Sequence, residues 1–149
     1  WREPVDAANV RPDPDVKIVR SVDPTGTVKG SDLVTVTLTA TFGPQAAAEC
    51  YQVTDLVPSG LAPVGATAGW VDPEAEEEAL EGVAISPYDQ SGARVFFCAA
   101  PDAKHRVLVM RYYARVVTPG TYAWEPAMVG SNTQDGRASL TKASTIILR

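Results

Sequence analysis

The chain has 149 residues, 45% of them apolar and 21% charged, with a net charge of −5. That is one ordinary domain, too apolar for disorder and too acidic for a general nucleic-acid surface. One histidine and two cysteines exclude chemistry that needs two histidines, and zinc sites built on three or four cysteine thiolates.

Residues 1–14 carry Pro4, Pro12 and Pro14 with little apolar pattern, and read as a linker or extended arm before a single domain over 15–149. Residues 15–22 can form a first strand, and Asp23-Pro24-Thr25-Gly26 is a turn signal. The clearest pattern is 33–42: Val34, Val36, Leu38, Ala40 and Phe42 alternate with Thr35, Thr37, Thr39 and Thr41. Such a period of two predicts a half-buried strand with a threonine-lined outer face. Residues 49–57 follow as a strand, and Pro58-Ser59-Gly60 turns the chain. Residues 73–81 are the one helix candidate, with Asp72 as N-cap, Pro73 at the first position, glutamates near the start and Gly82 at the stop. Residues 93–99 and 106–118 are further strands. In the longer one, Leu108, Met110, Tyr112, Ala114 and Val116 share a face. Thr118-Pro119-Gly120-Thr121 predicts a tight hairpin that returns along 122–129, and 143–148 closes the fold as a last strand.

The class follows from composition. Val, Ile and Thr number 19, 4 and 13, against 8 Leu, and β-branched side chains suit a pleated surface. The 12 prolines are spread along the chain, whereas proline inside a helix costs roughly 3 kcal/mol. An all-β fold is expected: an antiparallel β-sandwich of seven to nine strands with one short helix. No stretch approaches 18 apolar residues, so no membrane-spanning helix is expected. The chain opens on Trp1, shows no signal peptide, and reads as a piece of a longer protein.

Few residues suggest chemistry. Cys50 and Cys98 are either disulfide-bonded, which points to an oxidising compartment, or two buried free thiols. Each is out of phase with the apolar residues of its strand, so both fall on the outer side, and that matching parity favours the disulfide. The loop it would close, about 49 residues, is worth on the order of 4 kcal/mol. The acidic run Asp72, Glu74, Glu76, Glu77, Glu78 and Glu81 lacks the pattern of a calcium loop and reads as a solvated helix face. His105 reads as a surface residue, with no Gly-x-Ser-x-Gly elbow to serve. Asp55 could form an autocatalytic isopeptide bond only with a buried lysine and a second carboxyl beside it. Tyr112, Tyr113 and Trp124 suggest an aromatic binding face, against the commoner reading of cross-strand packing. The expected interaction surface is Tyr113, Arg115, Tyr122 and Trp124, residue types enriched at binding hot spots. No catalytic residue, cofactor or metal site is expected.

Two segments together resemble a known family. Ser31 to Ala40 leads into Val53-Thr54-Asp55-Leu56-Val57-Pro58-Ser59-Gly60-Leu61. Tyr113-Ala114-Arg115-Val116-Val117-Thr118-Pro119-Gly120-Thr121-Tyr122 is followed by Pro126-Ala127 and then Gly136-Arg137-Ala138-Ser139. This order resembles the C-terminal domain of bacterial α2-macroglobulin-like proteins, over about residues 16–149. The first segment also occurs in surface repeats of bacterial cell-wall proteins. The resemblance implies a β-sandwich related to the receptor-binding domain of vertebrate macroglobulins, whose helix lysines bind an endocytic receptor. Residues 73–81 carry five Glu and no Lys, so that binding does not carry over. The family's thioester Cys-Gly-Glu-Gln and its protease-bait segment are not in this chain. The expected function is therefore a non-catalytic module of a secreted or cell-envelope protease-trapping protein, in contact with neighbouring domains and, through the parent, with proteases. The other expectation is a structural or adhesive surface repeat.

Overall fold

The computed structural model describes residues 10–65, 84–133 and 137–149. Thirteen strands run in chain order: β1 Val16–Asp23, β2 Thr27–Val28, β3 Leu33–Phe42, β4 Tyr51–Leu56, β5 Leu61–Val64, β6 Ala84–Ile85, β7 Asp89–Ser91, β8 Arg94–Ala99, β9 Val107–Val116, β10 Gly120–Trp124, β11 Met128–Gly130, β12 Ala138–Leu140 and β13 Ser144–Leu148. The count exceeds the expected seven to nine because five strands span only two or three residues (β2, β6, β7, β11 and β12). Segments that short carry too few residues to show an alternation. Among the described residues there is no helix, hence none able to cross a membrane. The helix expected over 73–81 lies outside the described residues.

Three sheets form the molecule. The first has the order β1-β3-β9-β5, with β6 also paired to β9. The second is β12-β11-β4-β8-β7, and the third is β10-β13-β2. Most pairings are antiparallel, but β6 with β9 and β13 with β2 are parallel. The alternation of β3 is realised in full: Val34, Val36, Leu38, Ala40 and Phe42 are buried. They meet Met110, Tyr112 and Ala114 of β9 on the same face, and Tyr51, Val53, Val95 and Phe97 from the second sheet. The Phe42 and Tyr51 rings meet at 4.9 Å in a tilted contact, and Phe97 lies 6.3 Å from Tyr112, so rings join the two layers. Trp124, Ile146, Leu148 and Val28 bring the third sheet into the same core.

The expected hairpin is not formed. β9 is paired with β3 along one edge and with β5 and β6 along the other, so no edge is left for β10. The chain instead leaves the first sheet after Val116, and β10 pairs antiparallel with β13. Thr118-Pro119-Gly120-Thr121 is thus a corner between sheets. At the other end of the chain, the arm is docked in its last residues. The Ala138 amide donates to the Arg11 carbonyl, and Ser139 Oγ donates to the carbonyls of Asp13 and Val16.

Candidate functional site: a buried charge cluster and a sheet-switching corner

β1 and β4 each place a charged residue where alternation demands an apolar one. Val16, Ile18, Arg20 and Val22 share one side of β1, and Tyr51, Val53 and Asp55 share one side of β4. Across the core, Arg20 Nη1 meets Asp55 Oδ1 at 2.8 Å. The two side chains are 3% and 0% exposed, so this pair is removed from water. Tyr112 of β9 donates its hydroxyl to Asp55 Oδ2 at 2.8 Å. Arg20 also donates to the carbonyls of Glu125 and Trp124 and to Ser144 Oγ, and its guanidinium lies 4.5 Å above the Trp124 ring. One cluster therefore joins all three sheets.

Burial pushes the Asp55 carboxyl above the ordinary carboxylate range, against the opposing pull of the Arg20 charge and the hydrogen bonds from Tyr112 and Arg20. Burial, and then the adjoining Asp55 charge, hold the Tyr112 hydroxyl protonated well above its usual range. Arg20, Asp55 and Tyr112 are engaged with one another and shielded from solvent. The condition for an isopeptide bond is not met: the partner of Asp55 is Arg20, and the four lysines, Lys17, Lys29, Lys104 and Lys142, are all exposed. The sequence carried a signal for the pair, opposite charges at core parity in two strands.

The corner uses the residues of both resembling segments on each other. The Gly60 carbonyl accepts from the amides of Val117 and Thr118 at 2.9 and 3.2 Å. Gly60 lies so close to Tyr122 that a Cβ would fall 2.3 Å from its ring. The Tyr122 hydroxyl in turn donates to the carbonyls of Thr118 and Pro119. Gly120 has φ +152°, which glycine tolerates at little cost.

The expected interaction surface is not assembled as one face. Trp124 is 1% exposed and part of the core, Tyr113 is buried, and Tyr122 is half-buried against Gly60. Only Arg115 is exposed. The reason is parity: Tyr122 and Trp124 point to the core side of β10, and Thr121, Ala123 and Glu125 are outside. Cys50 and Cys98 are joined in a disulfide, with Cα atoms 5.2 Å apart. Cys98 stands opposite Gln52, so Cys50 lies diagonally across from it on the same outer side. His105 is exposed and bonded to Asp102, whose carboxylate also accepts from the amides of Lys104 and His105. Those bonds, that of the His105 ring first, hold Asp102 down at about 2. This is a capped turn with no nucleophile beside it. Among the described residues no three His, Cys, Asp or Glu side chains converge on a metal position. The acidic run 72–81 lies outside the described residues.

The fold and its corners define an all-β module of three sheets closed on one core. A family model described as the bacterial alpha-2-macroglobulin MG10 domain matches residues 8–134. The chain belongs to that family. Among solved structures it is similar to native alpha-2-macroglobulin from Escherichia coli, from domain MG7 to the C-terminus, with TM-score 0.68 and 23% identity over 99% of this chain and 24% of that one. It is similar also to the native conformation of the whole E. coli protein, with TM-score 0.74 and 23% identity over 99% of this chain and 10% of that one. The Y1175G mutant of Salmonella alpha-2-macroglobulin gives TM-score 0.72 and 20% identity over 97% and 10%. The chain thus spans a tenth to a quarter of these proteins, and at such identity the likeness is one of fold. No curated protein matches the chain.

Proposed function

We propose that this chain is a non-catalytic module of a protease-trapping macroglobulin, in which residues 15–149 act as one rigid domain packed against its neighbours. The supporting observation is the use of its motif residues. Asp55 is bonded inside the core, and the backbone of Gly60 and Thr118 and the Tyr122 hydroxyl bind one another within the corner. A domain built this way holds shape and passes on displacement between neighbours, while cleavage and capture of a protease belong to other parts of the parent. The Cys50–Cys98 disulfide supports an extracellular or cell-envelope location, since such bonds persist in oxidising compartments. The family match favours this reading over that of a cell-wall surface repeat.

The test uses the parent chain with and without this domain. The parent should retain trypsin after cleavage, as judged by co-elution on gel filtration, and the deleted form should not. The 149-residue chain alone should leave trypsin activity on a protein substrate unchanged. Normal retention by the deleted parent, or inhibition by the isolated chain, overturns the proposal.

A further inference from the structure

β1 is the outer strand of the first sheet, and its free edge can be read residue by residue. The Val16 carbonyl accepts from Ser139 Oγ, so it points away from β3. The partner of Val16 in the register is Phe42, whose amide is directed the other way, to the Arg106 carbonyl. In an antiparallel strand the amide and carbonyl of one residue point to the same side, and the side alternates. The backbone groups of Ile18, Arg20 and Val22 therefore all face outward from the sheet.

They face a groove of about 950 Å³. Its other bank is β12, whose Ser139 caps the Val16 carbonyl, then the 141–143 connection and the first half of β13. β2 covers β13 only at Ile147 and Leu148, so Ser144–Ile146 have no strand on that side among the described residues. Two open edges thus flank one groove. Long open edges are commonly blunted by lysine, proline, a bulge or an inward charge. β1 carries Lys17 and the inward Arg20, but Arg20 is paired with Asp55, and the middle of the strand presents Val19, 62% exposed. Charge selects among possible occupants. Lys17 and Lys142 are exposed on the two banks, Arg20 is neutralised by Asp55, and the half-buried Asp13 is the one carboxylate of the lining among the described residues.

We infer that the groove between β1 and β13 is a strand-addition site for an extended acidic segment of a neighbouring polypeptide. The added strand lies beside β1, exchanges hydrogen bonds with Ile18, Arg20 and Val22, and turns alternate side chains outward. An acidic residue then stands beside Lys17 and a β-branched one, such as threonine, beside Val19, as cross-strand neighbours. The inference stands on this edge and not on protease trapping; either can fail with the other intact.

The probe is a capped heptapeptide, Val-Glu-Val-Thr-Val-Glu-Val, added to the 149-residue chain. Binding is followed by fluorescence anisotropy and by amide hydrogen exchange. The expected result is saturable binding with new protection at Ile18, Arg20 and Val22. A version with Lys for Glu should bind about threefold to tenfold more weakly, the scale of exposed cross-strand charge pairs. A version N-methylated on its groove-facing bonds should not bind. Lys17→Glu, at an exposed site, should reverse the preference between the two peptides. Val22→Pro should abolish binding while leaving the β3-facing ladder intact, because the amide it removes faces outward. Saturable binding without protection of those three amides overturns the inference, as does no binding at all. Protection already present in the free chain also overturns it: if independent of protein concentration, the chain's own residues fill the edge, and if dependent on it, a second copy does.

Discussion

Removing one partner of the Arg20–Asp55 pair is a different matter from removing both. Asp55→Asn leaves a guanidinium almost out of water with its countercharge gone, and should cost about 3–5 kcal/mol of unfolding free energy. Arg20→Met with Asp55→Leu replaces the pair by apolar side chains and should recover most of that loss, which urea denaturation of the three proteins would measure. A small loss in Asp55→Asn with a larger one in the double variant would mean that the hydrogen bonds of Arg20 to the Glu125 and Trp124 carbonyls, rather than the ion pair, hold the sheets. Asp102 lies at the other extreme of exposure. Its pKa is lowered in the folded protein to about 2, so the turn it caps gains stability above the ordinary carboxylate range and loses it as pH falls through about 2. Amide shifts of Lys104 and His105 should titrate with a midpoint near 2; a midpoint near the ordinary Asp value, about 4, would mean that the cap does not form in solution.

At the level of elements, Gly60 decides whether β10 can sit where it does. An added Cβ would lie 2.3 Å from the Tyr122 ring and 2.6 Å from Leu148. Gly60→Ala should therefore destabilise by about 1–3 kcal/mol through overpacking, with Tyr122 shifted out of its place. A combined Gly60→Ala, Tyr122→Leu variant should regain part of the loss in thermal melts, and no recovery would place the strain elsewhere. This corner also shows what sequence can and cannot carry. Alternation is local, so β3 was legible to its end residues and the shared outer side of Cys50 and Cys98 followed from parity. Pairing is not local. Thr118-Pro119-Gly120-Thr121 announces a turn, but which sheet receives the next strand depends on β9 already being filled on both edges. Trp124 was misplaced on the surface for the same reason: as the return of a hairpin it would have faced outward, and as a strand of the third sheet it faces in. Arg20 escaped because charge at core parity has meaning only once Asp55, on a strand of another sheet, is found opposite.

At the scale of the whole molecule, three sheets share one core and one charge cluster, and none buries its apolar face without the others. Their closure depends on distant pairings, such as Leu33 with Arg115 and Thr27 with Ile147. Unfolding should accordingly be a single transition, and folding should fall in the milliseconds-to-seconds range of proteins dominated by non-local strand pairing. Trp124 gives a direct reading, because it belongs to the third sheet and lies under Arg20 of the first. With Trp1 and Trp70 replaced by Phe, its fluorescence reports whether the third sheet leaves with the rest. The fluorescence and far-UV circular dichroism midpoints in urea should coincide. The disulfide joins β8 to the chain just before β4, both within the second sheet, and its removal by Cys50→Ser with Cys98→Ser should cost about 2–5 kcal/mol. Both midpoints should move down together by the same amount. A fluorescence midpoint that stays in place while the dichroism midpoint falls would show that the second sheet melts by itself. The domain would then be a hinged pair of layers, and its role as a rigid link between neighbours would have to be abandoned.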